Sequence, residues 1–459
     1  MVHKPTRSPN KRRTLRTIAA VASATALAVV LAACSSGSST ATAGKYGFTE
    51  AKQTGGAITV WVDATRVAAA NAFKKAYPGT PINVVTYDGS ANGSNTFQTK
   101  IQLLDKAGSG WPDVVFSTQD NDSAWASQKD GNVQPFAAVL SKGLVLQSTQ
   151  NGFATGSLSP CTVNGQLYCL RNDLANNVLW YNAPLMKQFG YAVPTTWEQY
   201  EALGKKVAAQ HPGYIIGAAG DAWTPEIYMW ASKCQANDVT GTSTITVNVN
   251  TTECKRMASL LDTLIANKSI TLDSVFSPDF AKAYAGKTLM MPGPNWYNGA
   301  VFDSPTGLNV PAGQLAVAAP LQWSGDANPP VTGDVGGGTW FVSSHSKNLA
   351  AAQKFLNFVA TSNAYQADLA PGLPAYKTAA TAWVKKLEAS NYYSGSLTPI
   401  TTSASQVWTG WGSARFSQES VWSKSMTPNI SAGKTITSLL PSWGTAIKDQ
   451  AQVSGYTVK

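Results

Sequence analysis

Charged residues and histidines are scarce in this sequence. Of 459 residues only 13% are charged, about half the share of an ordinary globular protein, and there are three histidines. The surface must therefore be largely neutral and rich in hydrogen-bonding groups. His3 lies in a basic N-terminal stretch, which leaves His211 and His345 for the body of the chain. The sequence therefore offers few histidines for catalysis by a Ser–His pair or by a histidine-bound metal.

Sequence motifs for common cofactors are also missing. No Gly-x-x-x-x-Gly-Lys or Gly-x-Gly-x-x-Gly loop follows a predicted strand, and the glycines at 336–338 are not followed by lysine. The five cysteines show no Cys-x-x-Cys spacing, which argues against a zinc site. We therefore expect no cofactor and no metal. Aromatic residues are plentiful, with 15 Trp, 16 Tyr and 14 Phe, and they indicate a folded chain.

The net charge of +10 comes mostly from the N-terminus. Six basic residues precede residue 18, in a region of 33 residues without Asp or Glu: Lys4, Arg7, Lys11, Arg12, Arg13 and Arg16. Without them the chain has 29 basic and 25 acidic residues, a net charge of +4. No later segment concentrates Lys and Arg on one face, so nucleic-acid binding is not expected.

The basic stretch is followed by an apolar run and a cysteine. Residues 18–33, rich in Ala, Val and Leu, are too few for a permanent membrane span and suit the core of a signal peptide. The run ends in Leu-Ala-Ala-Cys, which resembles the lipobox of bacterial lipoproteins. We expect a signal peptide over residues 1–33 and lipidation at Cys34; the alternative is an ordinary buried cysteine after an ordinary signal peptide. Arg12-Arg13 leaves open general secretory or twin-arginine export.

Residues 34–54 have the Ser, Gly, Thr and Ala composition of a flexible tether, which would hold the body of the protein close to the membrane. The four cysteines other than Cys34 are an even number, which suits disulfides in an oxidising compartment. Three pairings are possible, and we expect nearest neighbours to pair: Cys161 with Cys169, around a two- or three-residue hairpin loop at Asn164-Gly165, and Cys234 with Cys254.

Apolar periodicity predicts alternating strands and helices in the first part of the chain. The expected elements are a strand at 57–62, a helix at 67–77, a strand at 82–87, a helix at 95–107 and a strand at 114–117. Further helices are predicted at 196–210, 253–266, 277–285 and 348–361. The alternation favours an α/β fold with an open, mainly parallel sheet.

Seven short segments resemble motifs of one family, in the order in which that family has them. They are WPDVVF (111–116), GNVQPF (131–136), VLWYN (178–182), PTTWE (194–198), GKTLMM (286–291), GGTWFV (337–342) and GLPA (372–375). Together with the lipobox and tether, they make the chain resemble the family 1, maltose-binding-protein-like, solute-binding proteins of bacterial ABC importers.

The resemblance implies a two-lobe, type II periplasmic-binding-protein-like fold with a ligand cleft between the lobes. We expect the first lobe at 55–170 with 325–375 and the second at 175–320 with 380–459. The crossing segments are expected near 171–175, 319–330 and 374–381. The 234–254 excursion and the Trp-rich tail, with Trp408, Trp411, Trp422 and Trp443, match nothing in the family pattern.

A sugar presents apolar C–H faces and a ring of hydroxyls, so its site needs flat aromatic side chains and short polar ones. The candidate ligand-binding residues are Trp61, Asp63, Thr65, Asp120, Asn121, Trp223, Trp296, Trp340 and Trp411. We expect Trp340 to come from the first lobe and Trp296 from the second. Any tryptophan could pack in a core instead, and Asp63 could instead cap the helix predicted at 67–77.

The resemblance implies a monomeric extracytoplasmic lipoprotein, at the outer face of the bacterial cell membrane, that is not an enzyme. It would bind a sugar or oligosaccharide and deliver it to the permease subunits of an ABC importer. Two other functions stay open. One is a secreted carbohydrate-active enzyme, for which Asp120 with Asp122 or Glu226 could supply two carboxylates. The other is a wall-associated, carbohydrate-binding adhesin or scaffold.

Overall fold

The structure, a computed structural model, describes residues 44–459. The expected signal peptide, the lipobox and Cys34 lie outside these residues. In the first part of the described chain, strands and helices alternate within one or two residues of the predicted bounds. Local apolar periodicity therefore sets these elements, as expected for segments whose buried face is continuous.

A five-stranded sheet forms the centre of the first half of the fold. Its strand order is Ile82–Thr86, Ile58–Val62, Val114–Ser117, Thr339–Val342, Leu170–Arg171. The first three strands run parallel, whereas the fourth is antiparallel to both of its neighbours. All residues of the third and fourth strands are buried, as expected for central strands that are covered on both faces.

Smaller sheets occupy the second half of the fold. Asn177–Asn182 lies between two antiparallel partners, Met290–Pro294 and Leu315–Ala318. Gln235–Thr240 and Thr244–Asn248 form an antiparallel hairpin, and the second strand of this hairpin also pairs in parallel with Thr457–Val458. Three short ladders pair Gly217–Ala218 with Ile270–Thr271, Asp173–Leu174 with Leu373–Pro374, and Thr162–Val163 with Gln166–Leu167.

Helices cover these sheets and begin where the sequence offers a capping side chain. Thr196, Thr251 and Ser277 each accept a hydrogen bond from the backbone N–H three residues further on. The α-helices are Val67–Ala76, Thr96–Ala107, Asp122–Ala126, Gln147–Gln150, Ala183–Gln188, Trp197–Gln210, Thr252–Ala266, Pro278–Tyr284, Leu349–Thr361, Asn363–Gln366, Lys377–Ala389, Thr398–Ser403, Gln418–Ser425, Thr427–Ser431 and Ile436–Val453. Ala91–Gly93 is a 3₁₀ turn, and Pro225–Met229 and Asn298–Phe302 are π-helical.

Buried apolar side chains form two separate cores. The first core contains residues between Phe48 and Leu170 and between Trp340 and Ala375. The second core contains residues between Val178 and Val335, together with residues of the tail as far as Tyr456. Two cores around separate sheets confirm the expected two-lobe α/β fold. The numerical lobe boundaries given above remain a prediction.

The chain passes between the two cores three times. The first and third crossings lie side by side, because Asp173–Leu174 pairs with Leu373–Pro374. The second crossing lies between Val335, the last residue of its segment in the second core, and Trp340 of the first core. This position is downstream of the expected 319–330, because Leu321 and Trp323 are buried in the second core.

Both expected disulfides are present, Cys161 with Cys169 and Cys234 with Cys254. The first closes a hairpin with a two-residue turn, because Thr162 pairs with Leu167 and Val163 with Gln166. Asn164 and Gly165 both have positive φ, at 51° and 71°, as a type I′ turn requires. The second disulfide brackets the antiparallel hairpin of the second half, so the expected surface excursion is an ordered ladder.

Candidate ligand-binding cleft

A cavity of about 1050 Å³ lies between elements of the two cores. Segments 154–164 and Asp120 line it from the first half of the fold. Trp230, the tip of the 235–248 hairpin and the tail segment 401–415 line it from the second half. Its base includes residues of two crossing segments. Large concave sites between domains are the usual place for small-molecule ligands.

One wall of the cavity consists of small polar residues and is called here the polar wall. It includes the lining residues of segment 154–164, among them Thr155, Ser157, Ser159, Thr162 and Asn164. The hydroxyl of Ser123 donates to the carbonyl of Pro160, and the Cys161–Cys169 disulfide closes the hairpin behind it. Hydroxyl and amide side chains on a segment fastened in this way can bind ligand hydroxyls in defined directions.

The opposite wall is rich in aromatic rings and is called here the aromatic wall. It contains Trp230, Trp408, Trp411 and Tyr456. The Trp230 and Trp411 rings are stacked, with centroids 5.2 Å apart and planes inclined by 11°. Trp230 directly follows the π-helical turn Pro225–Met229, and its Nε1 donates to the carbonyl of Trp408 at 2.7 Å. These contacts hold the rings before any ligand arrives, which lowers the entropy cost of binding.

Three charged groups lie at the base of the cavity. The guanidinium of Arg171 donates to Oδ2 of Asp120 at 3.3 Å and to Oδ2 of Asp334 at 2.9 Å. Gly337 makes this arrangement possible, because it has a φ of +76° and a Cβ there would lie 2.0 Å from an Arg171 nitrogen. Burial raises the pKa of Asp120 to about 6, although Arg171 opposes the shift.

The two halves of the fold also touch beside the cavity. The side-chain amide of Asn121 donates to the carbonyls of Ala414 and Phe416, each at 2.9 Å. The Nε2 of Gln119 donates to Oε2 of Glu419 at 3.3 Å. Both donors follow the Val114–Ser117 strand, and all three acceptors belong to the tail. These contacts hold the two halves of the fold together in this conformation.

A pair of carboxyl groups lies behind this contact. Burial raises the pKa of Glu419 to about 7, against the effect of hydrogen bonds with Gln119 and Glu226. The pKa of Glu226 is raised well above its ordinary range, first by burial and then by the charge of Glu419. Two buried carboxyl groups in contact cannot both ionise at low cost, so the pair holds a proton near neutral pH.

Two of the nine predicted site residues line the cavity, namely Asp120 and Trp411. Asn121 lies beside the cavity, and its side-chain amide forms hydrogen bonds that join the two halves of the fold. Asp63 accepts from the backbone N–H of Arg66 at 2.7 Å and forms an ion pair with its side chain, so it holds the turn that precedes the helix Val67–Ala76. The N-cap residue of that helix is Arg66, without a side-chain cap bond, so Asp63 is not the cap of the alternative interpretation.

The other candidates lie away from the cavity lining. Trp340 is fully buried in the first core and donates to Oδ1 of Asn172 at 2.9 Å, so in this structure it packs in the core. Trp223 and Trp296 form an aromatic cluster with Phe276 and Tyr297. Trp223 and Tyr297 are buried in the second core, Trp296 is partly buried against it, and Phe276 is exposed. Trp61 packs against Tyr87 on the first sheet, and Thr65 is exposed.

The sequence analysis did not single out Trp230, Arg171 or Asp334 as ligand-site residues. Arg171 was placed only in a crossing segment, and Trp408 only in the unmatched tail. The polar run at 154–164, next to a predicted disulfide hairpin, was an available signal for the polar wall. The pairing of Arg171 with Asp334 had no such signal, because 163 residues separate them.

Within residues 44–459, no group of three or more His, Cys, Asp or Glu side chains is arranged to hold a metal ion. None of the helices in this part of the chain is long and apolar enough to cross a membrane.

Solved structures resemble this fold over most of its length. A binding protein of Bifidobacterium animalis subsp. lactis, in complex with β-1,6-galactobiose, has a TM-score of 0.67 at 20% identity, covering 88% of this chain and 99% of that one. The lacto-N-biose-binding protein of Bifidobacterium longum has a TM-score of 0.69 at 19% identity, again covering 88% of this chain and 99% of that one. The acarbose-binding GacH receptor of Streptomyces glaucescens gives 0.66 at 18% identity, covering 88% and 100%.

The curated protein sequences contain no match to this chain. The sequence model of the bacterial extracellular solute-binding protein family, in contrast, matches residues 59–367, about two thirds of the sequence. The matched residues contain most of the first core, the part of the second core before the tail, the first two crossings and the charged base of the cavity. The third crossing at Leu373–Pro374 and the tail lie outside the match. This chain therefore belongs to the family of bacterial extracellular solute-binding proteins.

Proposed function

We propose that the protein captures an oligosaccharide in the cavity between its two cores and delivers it to the permease subunits of an ABC importer. The observation that carries this proposal is the pairing of a polar wall with an aromatic wall across one cavity. Aromatic rings bind the apolar C–H faces of sugars, while hydroxyl and amide groups bind their hydroxyls. The walls therefore match the two chemical sides of a pyranose.

The size of the cavity favours more than one sugar unit. At about 1050 Å³ it reaches the upper end of the roughly 300–1000 Å³ usual for small-molecule sites. The aromatic wall presents the partly exposed Trp408 beside the largely buried Trp230 and Trp411. The similar structures named above include complexes with a disaccharide and with acarbose, which agrees with this ligand class.

Binding should favour a closed arrangement of the two halves. A ligand that contacts both walls has more affinity for the conformation in which they are close, and only that difference shifts the equilibrium. The contacts of Asn121 and Gln119 with the tail would then assist closure. The crossing ladder of Asp173–Leu174 with Leu373–Pro374 lies where such a movement would bend the chain.

The proposal includes binding without catalysis. Asp120 and Asp334 both line the cavity, but both accept from one guanidinium and so lie side by side at its base. A glycosidase instead places two carboxyl groups on either side of the scissile bond. Asp122, the other carboxylate considered, accepts from Ser117 and Gln98 and is buried.

A thermal-shift panel tests the proposal. Residues 44–459 would be mixed with maltotriose, cellotriose, β-1,4-galactotriose and chitotriose, followed by chromatography of the sugars. A ligand that binds only the native state raises stability by RT ln(1 + [L]/Kd). We expect stabilisation by at least one trisaccharide, recovered unchanged, with contraction in small-angle scattering. Shortened products would indicate an enzyme, and no stabilisation would contradict the proposal.

The membrane anchor is a second part of the proposal, and it is tested separately. Cys34→Ala in the full chain should abolish lipid attachment and move the protein from the membrane fraction to the soluble fraction. The matched control is Ser35→Ala, which leaves the lipobox cysteine in place. Finding the unaltered protein without lipid and freely soluble would contradict this part alone, since the cleft does not depend on it. We also propose that the protein acts as a monomer.

A further inference from the structure

Six exposed lysines lie on three segments of the first half of the fold. The segments are 44–56, 71–81 and 343–354, and they carry Lys45, Lys52, Lys74, Lys75, Lys347 and Lys354. The only acidic residue in these segments is Glu50, whereas the rest of residues 44–459 has 23 basic and 24 acidic residues. The net positive charge of the described chain therefore comes from these three segments.

Direct contacts join the three segments into one surface, called here the basic face. The backbone N–H of Thr54 donates to the carbonyl of Lys347 at 2.9 Å. The Nζ of Lys354 donates to Oγ1 of Thr80 at 3.3 Å and lies 4.0 Å from the centre of the Tyr77 ring. No single segment carries the excess of charge, because the fold assembles it from distant parts of the chain.

Carboxylates do not neutralise the basic face. Within residues 44–459, none of the six lysines forms an ion pair. Glu50 is half-buried and accepts from the backbone N–H of Tyr46 at 3.4 Å. Asp113 contacts the third segment, but its two oxygens accept from the hydroxyl of Ser346 at 2.6 Å and from the backbone N–H of Thr59 at 2.7 Å. The lysines therefore outnumber the carboxylates at this surface and face solvent.

The basic face lies at the edge of the first sheet that is opposite to the cavity. Two of its segments lead into the starts of the parallel strands Ile58–Val62 and Ile82–Thr86. The third segment follows Val342, which pairs with Val114 at the start of the third parallel strand. Asp120, which lines the cavity, instead follows the end of that strand. A partner on the basic face therefore leaves the cavity uncovered.

The first segment of the basic face directly follows the proposed tether. In the proposed lipoprotein, residues 34–43 separate the lipid on Cys34 from Gly44, and they span at most about 35 Å even when fully extended. The basic face is thus the part of the described chain that is nearest in sequence to the membrane. Anionic phospholipids attract lysines near the bilayer surface, over a Debye length of about 10 Å at 0.1 M salt.

We propose that the basic face binds the anionic phospholipid headgroups of the membrane reversibly, with the cavity facing away from the bilayer. The inference uses the proposed anchor at Cys34 only to choose the partner, and it does not depend on the sugar. The attraction of several lysines is cumulative, so a surface with six of them is held more strongly than one with balanced charge.

Sedimentation with vesicles tests the proposal without the anchor. Residues 44–459, which contain both cores but neither Cys34 nor the basic leader, would be mixed with vesicles of phosphatidylcholine, with or without about 40% phosphatidylglycerol. At about 50 mM NaCl we expect at least tenfold tighter binding to the anionic vesicles. At about 500 mM NaCl, where the Debye length is only about 4 Å, the difference should disappear. Equal binding to both kinds of vesicle, or binding to neither, would overturn the proposal.

A variant assigns the binding to the basic face. Replacing four of its lysines by glutamine should weaken binding to the anionic vesicles at least tenfold: Lys74, Lys75, Lys347 and Lys354. The matched control removes the same charge from four exposed lysines of the second half and should bind as the unaltered protein does: Lys255, Lys268, Lys282 and Lys448. Thermal unfolding of both variants separates lost binding from lost folding. Equal weakening by both would show that only net charge matters and would overturn the assignment.

Chemical modification gives a test without substitution. The unaltered protein would be acetylated with and without anionic vesicles, and the modification of each lysine measured by mass spectrometry. The lysines of the basic face should react at least threefold more slowly with vesicles present, while the four control lysines should react at the same rate. Protection of the control lysines instead would overturn the proposed orientation.

A soluble polyanion distinguishes a membrane from a nucleic acid. A duplex DNA that binds more tightly than the anionic vesicles, at equal phosphate concentration, would overturn the choice of a membrane. We expect the reverse. Failure of vesicle binding would leave the proposed sugar site and the proposed lipidation of Cys34 intact, because neither is used in these measurements.

Discussion

The two walls of the cavity differ in how they can recognise a ligand. The polar wall offers hydroxyl and amide groups on a disulfide-closed segment, and hydrogen bonds are directional, so they depend on the position of each donor and acceptor. The aromatic wall offers ring faces, whose contact with apolar surface is non-directional. The polar wall should therefore determine which ligand is accepted. The aromatic wall should determine how tightly an accepted ligand is held.

The largest expected effect concerns the core behind the polar wall. Trp340→Ala should lower the free energy of unfolding by about 3–5 kcal/mol, because it removes a fully buried ring and the bond to Asn172. Urea denaturation measures this loss. Trp340→Phe, as the control, should lose less. Loss of sugar affinity with unchanged stability would instead show that Trp340 lies in the cavity and not in the core.

The next effect concerns the carboxyl pair behind the aromatic wall. Glu419 has a folded pKa of about 7 and an unfolded pKa near 4.3, so the folded state holds an extra proton between these values. Stability should therefore fall as pH rises from about 4.5 to 7.5, by on the order of 3 kcal/mol for this group.

Thermal unfolding across this pH range measures whether stability falls as pH rises. In the Glu419→Gln variant, stability should fall less over the same range. Glu198→Gln is a control of opposite sign, because hydrogen bonds from Ser324 and the backbone lower the pKa of Glu198 despite some burial. A Glu419→Gln profile as steep as that of the unaltered protein would contradict the shared proton.

A third prediction breaks the polar wall directly. Replacing Cys161 and Cys169 by serine opens a short loop and should lower the free energy of unfolding by about 2.6 kcal/mol on the chain-entropy estimate. Sugar affinity should fall as well, since segment 154–164 loses its closure. Replacing Cys234 and Cys254 should cost about 3.3 kcal/mol. If both double variants lose affinity equally, the first disulfide has no special role in the wall.

A fourth prediction breaks the aromatic wall. Trp411→Ala removes the ring stacked on Trp230 and should weaken sugar binding by about 1–3 kcal/mol, roughly 5- to 150-fold. Trp111→Ala is the matched control, because Trp111 is half-buried on His345 and outside the cavity lining. Calorimetry with the best trisaccharide should give unchanged affinity for the control. Equal sugar affinities for both variants would show that Trp411 does not contribute to sugar binding.

The smallest effect concerns the contact between the two halves of the fold beside the cavity. Asn121→Ala removes two hydrogen bonds to the tail and should favour the open arrangement by about 1 kcal/mol. Small-angle scattering should show a larger ligand-free radius and contraction only at higher sugar concentration. Gln128→Ala, which loses one exposed bond to Ala124, should behave as the unaltered protein does. An unchanged radius for Asn121→Ala would show that the contact does not control closure.

Local structure was well predicted from the sequence, and the site less well. The strand at 114–117 and the helix at 196–210 follow from short-range periodicity, so their bounds agree with the structure to within one residue. The resemblance implies a cleft position for Trp340, which follows the glycines at 336–338. In a strand that is buried on both faces, however, alternation is absent and the direction of a side chain cannot be inferred from the pattern.

The base of the cavity depends on contacts that no local pattern encodes. Arg171 meets Asp334 across 163 residues, and Asn121 meets Phe416 across 295. Trp230 and Trp411 stack although neither belongs to a matched motif. Such pairs follow from the way in which the two halves of the fold are placed together, and a single sequence contains no direct signal of that placement.

The position of Thr339–Val342 has a consequence for the order in which the chain folds. This strand completes the first sheet. Trp340, however, is synthesised 168 residues after Asn172, to which it donates a hydrogen bond. At about 5–20 residues per second, a growing chain leaves Val114–Ser117 without that neighbour for roughly ten to forty-five seconds. The first sheet therefore cannot be completed until residue 342 has been synthesised.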